Sequence, residues 1–250
     1  HQRGHVLTAS ISLDTIACVH PTGDRRVRLQ SQGHGLITVD LDDLSPRPEE
    51  RDQSAALVRG VAARLTERGF ALGGFDAYST TEVLAGSGLS SSAAFEVLVG
   101  EIFNQLFCNG ALSATENAQA GQYAENVYFG KPSGLMDQMG CATGGVISID
   151  FKDAAAPVVR RVEVDLDAAG YALCIIDSGA SHADLTADYA AVPQEMGAVA
   201  AAFGKEVLSQ VDPAAFYARI PELRKSCGDR AVLRAIHFFD DDAIVDHERE

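Results

Sequence analysis

Hydrophobic and polar positions change period several times along the chain. Val6-Leu7-Thr8-Ala9-Ser10-Ile11 and Thr15-Ile16-Ala17-Cys18-Val19 are short β-type runs, and a turn at Pro21-Thr22-Gly23-Asp24 closes the second. Residues 27–31 alternate, and residues 36–41 continue the same meander. After a charged loop at 45–52, Ala56, Leu57, Val61 and Leu65 recur at helical spacing. Residues 73–84 read as strand and turn, with Phe75, Ala77 and Val83 among polar neighbours. The next helix carries Phe95, Leu98, Val99, Ile102, Phe103 and Leu106 on one face, and Cys108-Asn109-Gly110 breaks it. A further helix opens on a capping box, Ser113-Ala114-Thr115-Glu116, and ends near Gly130-Lys131-Pro132. Residues 146–150 and 172–176 read as strands, and beyond Asp184 the chain looks mostly helical. Strands first and helices after predict an α+β fold, with a domain boundary near residue 178.

Composition narrows the class. The 250 residues suffice for one large domain or two small ones. With 46% hydrophobic and 22% charged residues the chain has a globular composition, and no apolar run reaches membrane-spanning length. A net charge of −15 disfavours nucleic acid or an anionic membrane surface as partner, because both need clustered cations. It does not disfavour a nucleotide held by backbone amides and Mg²⁺. Cys18, Cys108, Cys141, Cys174 and Cys227 are odd in number and widely spaced, without C-x-x-C. They read as reduced thiols of a cytoplasmic protein, packed as small core residues. No signal peptide is visible. The chain starts on His1 and ends on a polar run, so it reads as a piece of a longer protein.

One segment carries the chemistry. Gly86-Ser87-Gly88-Leu89-Ser90-Ser91-Ser92-Ala93-Ala94 is a glycine-serine loop running straight into a helix. Such a loop offers unpaired N–H groups and the positive end of a helix dipole to a phosphate. It has no Gly-Lys-Ser/Thr, so it is not a Walker A loop, and a serine-capped helix is the plainer reading. Phosphoryl transfer would need two carboxylates besides. Glu125 shares a helix face with the small residues Ala118 and Gly121, where a carboxylate needs a cation, and Mg²⁺ held with a serine hydroxyl would supply it. An exposed helical glutamate, beside Gln122 and Asn126, is the alternative. Asp137 lies in the compact turn Pro132-Ser133-Gly134-Leu135-Met136-Asp137-Gln138, where a desolvated, basic carboxylate or a simple helix cap is expected. Asp177, His182, Asp184 and Asp188 follow an apolar run and suggest either a metal-dependent hydrolase or a polar loop capping the next helix.

These segments, in this order, resemble the GHMP kinase superfamily and within it the galactokinase family. The resemblance rests on Gly86 to Ala93, on Gly134-Leu135-Met136-Asp137-Gln138, on Glu125 twelve residues before Asp137, and on Ser178, His182 and Tyr189. It runs from about residue 1 to residue 236. It implies a GHMP kinase-like two-domain fold, with an N-terminal domain like ribosomal protein S5 domain 2 over 1–177. A ferredoxin-like C-terminal domain would begin at 178–250 and be present only in part. By resemblance, Gly86, Ser87, Gly88, Leu89, Ser90, Ser91 and Ser92 would bind ATP, and Ser92 with Glu125 would hold Mg²⁺. Asp137 would be the base for a sugar C1 hydroxyl, and Gly134 and Tyr189 would line the sugar pocket. The implied activity is ATP-dependent phosphorylation of galactose. A related sugar such as N-acetylgalactosamine, or a sensor that binds sugar and ATP without turnover, are the alternatives. The family's upstream sugar motif and its C-terminal glycine-rich motif are absent, and Asp177 stands where the family usually has Asn.

Overall fold

The computed structural model describes residues 2–83, 86, 88–176 and 186–248, with only the backbone at 186 and 187. Contacts divide the chain into two compact units, His1–Ala9 with Gly145–Glu250, and Ser10–Gly144. The boundary expected near residue 178 lies outside the described residues.

The first strand, β1 (His5–Ala9), joins the late part of the chain. In the unit Ser10–Gly144, the strands are β2 (Thr15–Pro21), β3 (Arg26–Ser31), β4 (Leu36–Asp40) and β5 (Phe75–Thr81). The helices are α1 (Ser54–Glu67), α2 (Ser91–Phe107), α3 (Ala114–Tyr123) and α4 (Met136–Thr143). The early strands are not the expected meander. The sheet order is β2-β5-β3-β4, so β5 is inserted between β2 and β3, antiparallel to the first and parallel to the second. A parallel pair needs a crossover, and α1 lies in the connection between β3 and β5. Nearest-neighbour pairing in sequence was the wrong inference here, because short alternating runs carry no pairing partner in themselves.

The core of this unit lies where one sheet face meets the helices. Val27, Leu29, Val39 and Phe75 from the strands pack with Leu57, Val58, Val61 and Leu65 of α1 and with Val99 and Phe103 of α2. Phe75 and Phe103 meet edge to face at 5.3 Å. An arginine is buried within this scaffold. Arg59 of α1 is fully buried, and its Nε and Nη2 donate to Glu50 at 2.7 and 2.6 Å. That pair ties the charged loop to α1 at the cost of desolvating both ions. The capping box at Ser113 and Glu116 is present. The helix it starts continues through a π-helical turn (Ala124–Phe129) and ends on Gly130, whose φ of 92° needs glycine.

Helices α2 and α3 approach closely because small residues face each other. A Cβ on Gly100 would run into Asn117 Oδ1, whose Nδ2 donates to the Val97 carbonyl at 3.1 Å.

In the other unit, β6 (Val146–Asp150) lies between β1 and β7 (Val158–Arg161), antiparallel to both. The short β7 did not stand out in the sequence, since its two arginines break the apolar pattern. Residues 172–176, expected as a strand, are irregular and exposed, and no described strand pairs with them. Cys174 is accordingly exposed, as are Cys18 and Cys141, so only Cys108 of these is the buried core residue expected. The helical tail is as expected: α5 (Thr186–Ala201), α6 (Pro213–Ala218), α7 (Ile220–Ser226) and α8 (Asp229–Glu248) enclose Val199, Leu208, Phe216, Leu223 and Phe239. The His5 N–H donates to Asp242 of α8 at 2.6 Å. No described helix is long and apolar enough to cross a membrane.

Gly100→Ala should destabilise the Ser10–Gly144 unit by about 1–3 kcal/mol, the usual cost of overpacking. Urea unfolding checks this, and an unchanged midpoint would show that α2 and α3 have slack.

Candidate active site

The loop before α2 is wound in the left-handed region at alternate positions, with φ of 76° at Gly86, 79° at Gly88 and 62° at Ser90. Space beyond Gly88 is open where a Cβ would stand. Left-handed residues in a loop set N–H groups into the concave arrangement that receives anions. Ser90 is the residue before the helix, yet its side chain does not cap it. Its hydroxyl instead donates to Asp137 Oδ2 at 2.7 Å. The plainer reading of the loop as a serine-capped helix is therefore not what forms, and the first turn of α2 has no side-chain cap. Ser87 lies outside the described residues, and Leu89 and Ser91 complete the loop and the helix start.

Two residues further on, the Ser92 hydroxyl donates to Glu125 Oε1 at 3.1 Å. Glu125 is 2% exposed, so the reading as a surface glutamate is overturned. It opens the π-helical turn on the face that Ala118 and Gly121 keep free of bulk, and both of these are buried. Its Oε1 also accepts from Lys131 Nζ at 3.0 Å, and its Oε2 accepts from Gln138 Nε2 at 3.0 Å.

Asp137, in the first turn of α4, is exposed rather than desolvated as expected. Its partner in α4, Gln138, is the buried one. The Gln138 amide donates to Glu125 and also to Glu96 Oε2 at 3.0 Å. Glu96, on α2 one turn beyond Ser92, is fully buried, and its Oε1 has no partner. Burial, reinforced by the neighbouring Glu125 charge, pushes its carboxyl up to about 9. Glu96 is therefore neutral at pH 7, while the charge of Glu125 is met by an ammonium.

Gly134 lies in the loop leading to α4. That loop is fixed from the π-helical turn and α3: the Ser133 N–H donates to Asn126 Oδ1 at 2.6 Å, and Gln122 and Asn126 both donate to the Ser133 carbonyl. Tyr189 belongs to α5 in the other unit and is 61% exposed. Asp177, His182 and Asp184 lie outside the described residues, and Asp188 is exposed on α5.

Sequence reading missed Glu96, Gln138 and Lys131. Glu96 had a signal, since Ser92, Glu96, Val99 and Phe103 share one helix face with an acid at its centre. A polar cavity of about 190 Å³ was also missed. It opens beside the start of α2 and is lined by Thr15, Ser31, Gln32, Ser79, Thr80, Thr81, Ser91 and Phe95.

Among the described residues, no group of three or more His, Cys, Asp or Glu is arranged to hold a metal. A cation at Ser92 and Glu125 would have one carboxylate and one hydroxyl from the protein, which suits Mg²⁺ with ligand oxygens and water completing its shell.

This loop, acid pair and helix arrangement fall within a recognised class. Residues 56–145 match the family described as GHMP kinases N terminal domain, so this part of the chain is a GHMP kinase N-terminal domain. Its relatives narrow the resemblance to galactokinases. The chain is 30% identical over 236 residues to galactokinase of Streptomyces coelicolor, covering 93% of this chain and 59% of that protein. It is 32% identical over 142 residues to galactokinase of Clostridium tetani, covering 56% of this chain and 36% of that one. Among solved structures, Lactococcus lactis galactokinase complexed with galactose superposes with a TM-score of 0.75 at 24% identity, over 98% of this chain and 63% of that one. Methanococcus jannaschii mevalonate kinase gives 0.56 at 12% identity, over 97% and 74%. These structures show the GHMP kinase fold. The chain thus spans well under two thirds of the curated relatives it matches.

Between about pH 4.5 and about 9 the folded chain holds a proton on Glu96 that the unfolded chain releases. Stability should therefore be full below that range and fall as pH rises through it, by at most ~1.4 kcal/mol per pH unit. Glu96→Gln should remove this slope and exceed the wild type in stability at the alkaline end. Parallel slopes in urea unfolding across the range would mean that Glu96 is ionised in the fold.

Proposed function

We propose that the chain is the nucleotide-binding part of a sugar kinase that transfers the γ-phosphoryl group of ATP to the C1 hydroxyl of galactose. The observation that carries this reading is a pair of contacts. Two serines of one loop, Ser90 and Ser92, each hold one carboxylate, Asp137 and Glu125. A loop built to receive phosphate is thereby set against the two acids that transfer needs.

In this reading the N–H groups from Gly86 to Ser92 hold the β- and γ-phosphates, and the polar cavity at Ser31, Ser79 and Thr80 takes the nucleoside end. Ser92 and Glu125 hold Mg²⁺, which when bound offsets charge on the phosphate oxygens. Asp137 is the exposed carboxylate, open to an acceptor hydroxyl, and Gly134 lines the sugar pocket. As the sugar oxygen bonds to phosphorus and ADP departs, the hydroxyl proton passes to Asp137. Galactose as the acceptor is supported by the resemblance to galactokinases. The free cysteines fit a reducing compartment such as the cytoplasm.

A coupled ADP-release assay with galactose and N-acetylgalactosamine tests this reading. In the longer protein of which this chain reads as a piece, galactose-dependent ADP release is expected, and nucleotide binding without any sugar-dependent turnover there would favour a sensor instead. Asp137→Asn should keep sugar and nucleotide binding and lose about 10²–10⁴-fold in turnover, the range of general-base contributions. A loss below about tenfold would leave Asp137 only an orienting role.

A further inference from the structure

Three donors already meet Glu125 before any ligand arrives. Its Oε2 is turned inward and accepts from the buried Gln138 amide. Its Oε1 accepts from both the Ser92 hydroxyl and the Lys131 ammonium. A cation settling at Ser92 and Glu125 takes Ser92 as a ligand, the serine hydrogen turning away, and it then shares Oε1 with the Lys131 ammonium. Gln138 is buried, shared with Glu96 and bound to the other oxygen. Lys131 is the replaceable partner: its side chain is half exposed, and the ammonium is a compact charge on a flexible four-carbon stem. Its base does not move with it, because the Lys131 N–H donates to the Glu125 carbonyl at 3.1 Å, just past the Gly130 turn.

We propose that Lys131 is the resident counter-ion of Glu125, that it yields Oε1 to the metal when nucleotide binds, and that its freed ammonium then contacts the nucleotide's phosphates. The inference rests on the metal-binding reading of Ser92 and Glu125. A buried carboxylate without a cation is costly, so the empty site needs a stand-in. Two cations on one carboxylate oxygen repel each other, so the stand-in must move. Lys131 is the one cation described against Glu125. Anchored at its backbone, it stays within a side-chain length of the metal, and there the displaced charge meets polyphosphate. A lysine at this point thus acts in turn as a place-holder for the metal and as a phosphate ligand.

The two roles give effects of opposite sign when the charge is removed. Mn²⁺, in the absence of nucleotide, is followed by water proton relaxation on the whole chain, alongside nucleotide binding by calorimetry. Lys131→Met should bind Mn²⁺ about three- to fivefold tighter than wild type, the scale of one half-exposed ion pair. The same variant should bind a Mg²⁺-loaded non-hydrolysable ATP analogue about tenfold more weakly, the scale of one charge-assisted hydrogen bond. Lys131→Arg keeps the charge and should restore weak Mn²⁺ binding. If Lys131→Met does not fold, Lys131→Gln, which keeps a neutral donor for Glu125, carries the same comparison. Unchanged or weaker Mn²⁺ binding in the neutral variants, with binding abolished in Glu125→Gln, overturns this inference alone. Mn²⁺ bound equally by wild type and Glu125→Gln overturns the metal reading of Glu125 and this inference with it.

Discussion

Two carboxylates sharing one buried amide set the terms for the rest of the site. Glu96 and Glu125 both accept from Gln138 Nε2, in surroundings where two negative charges side by side are not sustained. Glu96 has no other partner and takes the neutral form. Glu125 faces a hydroxyl and an ammonium. The pair admits no bulk nearby: a Cβ on Gly121 would stand 3.0 Å from Glu96 Cβ and 3.3 Å from Gln138 Cγ. Helices α2, α3 and α4 are thus drawn to one point by polar groups, with small residues leaving the room.

That point also fixes where Asp137 goes. Successive residues of a helix point about 100° apart. With Gln138 turned inward, Asp137 before it is turned out, onto the side of the loop where Ser90 meets it. The left-handed Ser90 gives up capping its own helix to make that bond. The start of α2 is left without a side-chain cap, and the serine hydroxyls are spent on orienting acids.

Much of this was legible in the sequence, for definable reasons. Helical spacing gave α1, α2 and the tail helices, because one buried face repeats every three or four residues. The box at Ser113 and Glu116 marked the start of α3, because its bonds are local. Small residues around Gly121 offered a packed surface for Glu125 without deciding it against an exposed position; the fold buries it. What was not legible depends on distant partners. The insertion of β5 between β2 and β3 is set by the crossover through α1 and leaves no mark in either strand. Glu96 carried no role in the sequence, because its partner Gln138 comes from α4. Residues 172–176 are apolar enough for a strand and have no described partner to make one. Lys131 was read at a helix end and Gln138 within the Gly134 to Gln138 segment, since only the folded site shows that both meet Glu125.

Calorimetric titration of the chain with a non-hydrolysable ATP analogue, with Mg²⁺ and then with the metal chelated, tests the nucleotide site most directly. Binding at one site per chain is expected, weakened by at least about tenfold when Mg²⁺ is withdrawn. Absence of binding in the presence of Mg²⁺, by a chain shown to be folded, would contradict a phosphate site at the start of α2.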